Sequence, residues 1–238
     1  MTVKPYSADG SKREQVEHMF DAIAPKYDLL NRLCSLGVDQ GWRRKVIRRV
    51  LREPVEYLLD VATGTGDLAI LAAKKIPHVI GVDISEGMLS HGRIKVKERG
   101  MEDRITLQRA DSASLPFPES TFDAITVAFG VRNFEDLERG IRDMVRVLKP
   151  DGRLFVLEFS KPKNNILGSL FRFYFHRVMP AIGRMVSKDN AAYTYLPKSV
   201  DAFPDGEDFL KILEACGLRE AKADPLTGGI STLYSGRK

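Results

Sequence analysis

Residues 56–66, Glu-Tyr-Leu-Leu-Asp-Val-Ala-Thr-Gly-Thr-Gly, are a short apolar run, an acid and a glycine-rich turn. One helix-length later comes a second apolar run that also ends in an acid, Val79-Ile80-Gly81-Val82-Asp83. This spacing predicts strand, loop, helix and strand, a unit that places a nucleoside at the strand ends. Formally, Gly64-Thr65-Gly66-Asp67-Leu68-Ala69 satisfies G-x-G-x-x-G/A, with an acid about 20 residues on, the pattern of a dinucleotide site.

The acids around the turn argue for a different ligand. A pyrophosphate sits on the helix N-terminus, where free N–H groups and the dipole favour negative charge. Here Asp60 precedes the turn and Asp67 follows it, and both carboxylates would repel a phosphate. They suit a ligand with an ammonium group there and an adenosine extending toward Asp83. S-adenosylmethionine is such a ligand, with an amino-acid end, a sulfonium, a ribose and no phosphate. Asp83 can accept from the ribose hydroxyls, and Thr63, Gly64 and Gly66 shape the turn. Gly64 and Gly66 can equally form an ordinary tight turn, with Asp67 as a helix cap.

The rest of the chain extends the alternation. Strands are expected at 56–61, 78–83, 104–109, 122–128 and 152–159, and helices at 67–75, 86–99 and 134–148. Leu137, Ile141, Met144, Val145 and Leu148 recur at helical spacing, with Glu138, Arg139 and Arg142 outside. Two helices, 12–23 and 41–52, precede the first strand, joined by a loop carrying Tyr27, Asp28 and Asn31. A helix at 205–215, with Asp205 as cap and Gly217 as stop, and strands at 218–223 and 229–235 close the count at seven. The expected class is an α/β, Rossmann-like, mostly parallel seven-stranded sheet with helices on both faces. It forms one domain over 1–238, with an N-terminal helical cap (1–52) and a lid or substrate insertion at 160–203. Within that insertion, 163–187 is largely apolar, and 188–203 reads as irregular.

Polar residues at strand ends are the candidates for chemistry. Asp111, after the third strand, can accept from an adenine amino group, or Asp111 and Ser112 can cap a helix-like turn. Ile84 and Met88 can pack on the adenine faces or belong to the core. Phe129-Gly130-Val131-Arg132-Asn133 ends the fourth strand, where a methyl group would meet its acceptor. The segment is not the Asn/Asp-Pro-Pro-Tyr pattern of enzymes that methylate nucleobase amino groups. In 42–52, Trp42, Val46 and Val50, with Ile47 and Leu51, form an apolar stripe amid six basic residues. Such a helix either lies on anionic lipid or is an ordinary solvated helix.

The net charge of +5 fits an anionic membrane surface or RNA without deciding between them. Cys34 and Cys216 have no CxxC partner, and the four histidines lack metal-ligand spacing, so neither a disulfide framework nor a metal site is expected. Residues 1–6 contain no apolar run of the secretory type, which points to the cytoplasm.

Several segments together resemble the ubiquinone/menaquinone biosynthesis C-methyltransferase family from about His18 to Tyr234. The most specific are Tyr27-Asp28-Leu29-Leu30-Asn31, Ser35-Leu36-Gly37 with Trp42, Leu115-Pro116-Phe117-Pro118 and Phe129-Gly130-Val131-Arg132-Asn133. Glu158-Phe159-Ser160-Lys161-Pro162 and Tyr193-Thr194-Tyr195-Leu196 extend the match. Asp39 departs from the family, many members of which carry His there, and Pro150-Asp151-Gly152 replaces the usual Pro-Gly-Gly.

The resemblance implies methyl transfer from S-adenosylmethionine to a ring carbon of a polyprenyl quinol. Demethylmenaquinol is the first choice; a methoxy-benzoquinol of ubiquinone biosynthesis, or another small-molecule acceptor, is the alternative. It implies Arg132, Asn133 and Asp28 as catalytic residues, with Arg132 stabilising a phenolate, Asn133 orienting a hydroxyl, and Asp28, Asp111 and His176 as rival bases. Tyr27 and Asp28 would close the cofactor site or contact the acceptor. The expected partners are the quinol and the inner face of the membrane; nucleic acid is not expected, and homodimerisation stays open.

Overall fold

The computed structural model describes residues 3–7, 9–35, 37–161, 174, 177 and 190–238. Seven strands form one sheet: β1 (Tyr57–Val61), β2 (His78–Asp83), β3 (Ile105–Arg109), β4 (Phe122–Ala128), β5 (Leu148–Phe159), β6 (Arg219–Leu226) and β7 (Ser231–Arg237). Their order is β3-β2-β1-β4-β5-β7-β6, with β7 antiparallel to both neighbours and the first five strands parallel. Strand order reverses between β1 and β4, the place where open α/β sheets bind ligands.

Helices cover both faces because the strands are apolar on both. On one side, α3 (Val38–Val50), α4 (Asp67–Ala73) and α5 (Glu86–Glu98) enclose a core with Leu58, Val79, Ala124 and Leu157. On the other, α6 (Leu137–Val147) and α8 (Glu207–Ala215) enclose Leu59, Val82, Phe122, Ile125 and Val156. Burying each large aliphatic or aromatic side chain contributes about 1.5–3 kcal/mol. Ser85 caps α5 by accepting from Met88 N at 3.1 Å, and Asp136 caps α6 by accepting from Arg139 N at 3.0 Å. Gly217 stops α8 at φ +98°.

Three expectations change, and one open alternative, the role of the α3 stripe, is decided in favour of an ordinary solvated helix. Tyr27–Ser35 is a helix, α2, and not a loop. Residues 190–202 form α7 with Pro197 inside it, where an irregular stretch was expected. Gly206, not Asp205, is the α8 cap, while Asp205 accepts from Lys161 N at 2.9 Å. The stripe Trp42, Val46, Ile47 and Val50 packs into the core, so it is covered by the sheet and is not available to lipid. The outward face of α3 is mainly basic, with Arg44 and Arg48 exposed, while Val38 at its start and Leu51 of the stripe, just past its end, are exposed as well. Most of the apolar segment 163–187, including His176, lies outside the described residues. Among the described residues, no helix is long and apolar enough to cross a membrane.

Candidate cofactor and acceptor site

The carboxyl ends of β1 to β4 open into a cavity of about 350 Å³, within the roughly 300–1,000 Å³ typical of ligand pockets. Gly64 lines it after β1, Asp83, Ile84 and Met88 after β2, Asp111 and Ser112 after β3, and Phe129, Gly130 and Asn133 after β4. Tyr27 closes one side next to Gly64, and Arg13, Val16 and Phe20 of α1 (Lys12–Ile23) close another.

The two strand ends at the reversal are tightly pressed and strained. Ala62, after β1, and Phe129, after β4, both hold positive φ (+53° and +61°) without being glycine. A Cβ on Gly130 would lie 2.5 Å from the Ala62 Cβ, so only glycine fits between them. Backbone strain of this kind concentrates at functional sites.

Asp83 accepts Gly64 N on Oδ2 at 2.8 Å and Ser85 N on Oδ1 at 2.9 Å. Burial pushes its pKa up to about 6. Two backbone donors leave further lone pairs on this half-buried carboxylate for ribose hydroxyls. Asp111 accepts Ala113 N at 2.9 Å and pairs with Arg13 Nε at 2.9 Å, so a capping turn and a cavity-facing acceptor coexist in one residue.

Other expected residues stand behind the lining. Asp60 is buried, accepting from Thr63 Oγ1 at 2.6 Å and Thr126 Oγ1 at 2.7 Å, and burial pushes its pKa to about 6. Thr63 and Gly66 shape the turn through Thr63 N on Val82 O and Gly66 N on Thr63 O, both 3.0 Å. Asp67 pairs with Lys95 Nζ at 2.5 Å. Two bare carboxylates at the turn therefore misdescribe it, since hydroxyls enclose one and an ammonium offsets the other.

Asp28 also stands outside the cavity. It accepts Thr65 Oγ1 at 2.6 Å and Lys95 Nζ at 2.8 Å. Burial raises its pKa, but the bonds from Lys95 and Thr65 outweigh that and hold it below the ordinary value. Its geometry is that of a latch fastening α2 to the glycine turn, not of a base held ready for an acceptor. Asp39 serves the next corner, accepting Ser35 Oγ at 2.7 Å and facing Arg43 Nε at 3.5 Å.

Arg132 Nη1 donates to Glu158 Oε1 at 2.8 Å and to the Phe129 carbonyl at 2.5 Å. Glu158 is fully buried, and burial raises its pKa against the pull of Arg132. Arg132 also lies over the Phe159 ring, which tilts against Phe129 at 4.6 Å. Asn133 alone of the three expected catalytic residues reaches the cavity wall.

Helix α1 is fastened over this face. Lys12 Nζ donates to the Arg132 and Phe134 carbonyls at 2.9 and 2.8 Å, and Asp21 Oδ1 accepts Ser85 Oγ at 2.6 Å and Gly87 N at 2.9 Å. Burial, then the Arg132 charge, lowers the Lys12 pKa to about 8. Sequence reasoning missed Lys12, Arg13, Thr65, Lys95 and Glu158 as members of the site. Glu158 fell within a family segment and Thr65 within the glycine turn; nothing local marked Lys12, Arg13 and Lys95, because their partners are distant in the chain.

The chain resembles known proteins over nearly its whole length. It is 49% identical to the demethylmenaquinone methyltransferase of Bacteroides fragilis, covering 99% of this chain and 97% of that one. It is 45% identical to the ubiquinone/menaquinone biosynthesis C-methyltransferase UbiE of Geobacter sulfurreducens (95% and 90%). The demethylmenaquinone methyltransferase of Deinococcus radiodurans is 44% identical (98% and 97%). Among solved structures, the [4+2]-cyclase SpnF aligns with a TM-score of 0.66 at 20% identity, covering 95% of this chain and 96% of that one. A SAM-dependent methyltransferase from Aquifex aeolicus aligns with 0.55 at 18% (80% and 88%). These two likenesses establish the fold alone. The family model that matches residues 8–238 is more specific than either, and with it the chain belongs to the ubiE/COQ5 methyltransferase family.

Proposed function

We propose that this enzyme methylates a ring carbon of demethylmenaquinol, with S-adenosylmethionine as donor, to give menaquinol. The near full-length likeness to relatives named for demethylmenaquinone carries the acceptor. The cavity supports the donor: Asp83 has free lone pairs at the end of β2, Gly64 at φ +57° lets backbone approach a ligand, and apolar Ile84 and Met88 follow. Relatives named for both quinones favour a methoxy-benzoquinol as a second acceptor.

Bound S-adenosylmethionine supplies an electrophilic methyl group on a sulfonium. The chain must bind it, align the ring carbon with it and exclude water. In this reading Asp83 accepts from the ribose hydroxyls, Asp111 from the adenine amino group once Arg13 yields, and Ile84 and Met88 flank the adenine. The quinol ring approaches the methyl group from the Phe129–Asn133 wall of the cavity, behind which Arg132 and Phe159 lie. Arg132, held charged beside Glu158, addresses a ring oxygen as it gains negative charge, and Asn133 orients a ring hydroxyl.

The acceptor carries a polyprenyl tail, so the enzyme works at the cytoplasmic face of a membrane. Between Arg32 and Arg52 lie seven basic residues and one acid, and the rest of the chain has one acid more than bases. The whole positive charge therefore resides on the stretch from Arg32 at the end of α2 through α3 to Arg52, and it draws the enzyme to anionic lipid electrostatically. Flotation with phosphatidylglycerol vesicles should show binding at low salt that is lost at high salt; equal flotation at both would refute an electrostatic contact. The function itself is tested by labelled methyl transfer from S-adenosylmethionine to a short-tailed demethylmenaquinol. Label in the product supports it, and label only in another acceptor overturns it.

A further inference from the structure

Around the one-turn 3-10 helix Val131–Asn133, not every buried polar atom has a partner. Among the described residues, three have none: Arg132 Nε, Asn133 Oδ1 and the Tyr195 hydroxyl. Buried polar groups are nearly always paired, because losing water without a replacement is costly, so orphaned ones call for an explanation. Two come from the turn after β4 and the third from α7, far along the chain, and α7 packs against that turn.

Tyr195 is 3% exposed. Its ring belongs to the apolar cluster of Val16, Met19 and Ile23, against which Phe20, Tyr27 and Ile84 pack. Those last three also line the cofactor cavity, as does Asn133. The phenol lies within electrostatic reach of the Arg132–Glu158 pair. The residues that carry the three orphaned atoms thus stand on two elements that pack together beside the cofactor cavity.

They also differ in what they can do. An arginine Nε only donates, an amide oxygen only accepts, and a phenol does either. A ring hydroxyl satisfies all three, accepting from Arg132 Nε and Tyr195 while donating to Asn133 Oδ1. A quinone carbonyl only accepts, and it would leave Asn133 Oδ1 unpaired. We propose that Tyr195, with Arg132 Nε and Asn133 Oδ1, forms a socket for one ring hydroxyl of the acceptor in its reduced form. This rests on the quinol reading above and adds to it a residue and a hydrogen-bonding reason for the reduced form. Burial pushes the Tyr195 pKa up to about 12, so the phenol keeps its proton at neutral pH and serves as a donor. It is a contact to the acceptor, not a base.

Tyr195→Phe tests the socket because it keeps the ring and its packing while removing the hydroxyl. For a ligand-facing hydroxyl with no partner inside the protein, activity and stability should move in opposite directions. Turnover of short-tailed demethylmenaquinol under reducing conditions should fall roughly twofold to tenfold, the worth of a hydrogen bond between neutral groups. S-adenosylhomocysteine affinity, by calorimetry, should stay at the wild-type value. The melting temperature should rise by roughly 2–4 °C, as an unpaired buried hydroxyl is removed. A hydroxyl with a structural role predicts the reverse, a lower melting temperature, and that result overturns the socket. So does wild-type turnover in the variant while the wild-type enzyme methylates the quinol. If the wild-type enzyme methylates no quinol at all, the acceptor reading fails instead, and the socket for a quinol falls with it.

Discussion

Asp83→Asn separates the proposed ribose contact from the fold around it. The carboxylate accepts Gly64 N and Ser85 N on different oxygens, at 2.8 and 2.9 Å. Asparagine keeps one oxygen and turns an NH₂ toward the other N–H, losing one charge-assisted bond worth about 1.5–3 kcal/mol. The same change removes a carboxylate that burial disfavours. A pKa moved from 3.8 to about 6 amounts to roughly 3 kcal/mol against the ionised form at neutral pH. That figure is already net of the two backbone bonds, so the substitution should leave folding stability unchanged or raise it, and should not lower it.

Cofactor binding has no such compensation. A neutral amide with one oxygen already engaged loses a charge-assisted bond from the ribose, and Kd should rise on the order of tenfold to a hundredfold. Titration calorimetry with S-adenosylhomocysteine reads the affinity, and scanning calorimetry reads the stability. An analogue lacking both ribose hydroxyls should bind wild type and variant alike. Wild-type affinity in the variant, or an equal loss for the intact ligand and the deoxy analogue, would refute the ribose assignment.

Two further outcomes follow from burial and pairing. Asp83 and Asp60 both have folded pKa values raised to about 6, so the folded chain holds protons between about pH 4 and 6 that the unfolded chain releases. These groups favour folding in acid, and that contribution is lost as pH rises through about 6. Ligand binding runs the other way, since an ionised Asp83 is the better acceptor. S-adenosylhomocysteine affinity should therefore weaken as pH falls through about 6, and Asp83→Asn should abolish that inflection; if it persists, Asp60 or another group is responsible. Arg132→Ala should strand the Glu158 carboxylate in the core and cost about 3–5 kcal/mol. A urea midpoint unchanged from wild type would show that Arg132 does not hold that charge, so activity lost in this variant is interpretable only beside its stability.

Much of the fold was legible because it is written in short-range periodicity. The apolar runs ending at Asp60 and Asp83, and the spacing of Ile141, Met144 and Val145, announce β1, β2 and α6, since each element buries a repeating set of its own residues. Helix α2 was not legible. Its polar Asp28 looks like loop chemistry until Thr65 and Lys95, from elsewhere in the chain, are seen to hold it. The stripe of α3 was plain, but not what would cover it. A helix facing a sheet and a helix facing lipid need the same apolar face.

The amino-acid sequence by itself determined the class of chemistry. The glycine turn, the acid ending β2 and the segments around Tyr27 and Phe129 place the chain among S-adenosylmethionine-dependent methyltransferases. Tertiary structure decided which polar residues face a ligand and which face one another. Asp60, Asp67 and Asp28 read as site residues in sequence, yet each is engaged by a partner inside the protein, whereas Arg132 pairs with Glu158 through Nη1 and keeps Nε unpaired. Tyr195, unremarkable within its segment, emerges with its hydroxyl unpaired. Hydrophobic periodicity acts over a few residues and survives in the linear pattern. Hydrogen bonds and ion pairs close only when the sheet brings distant strand ends together, so their partners, and the atoms left without one, exist only in the folded chain.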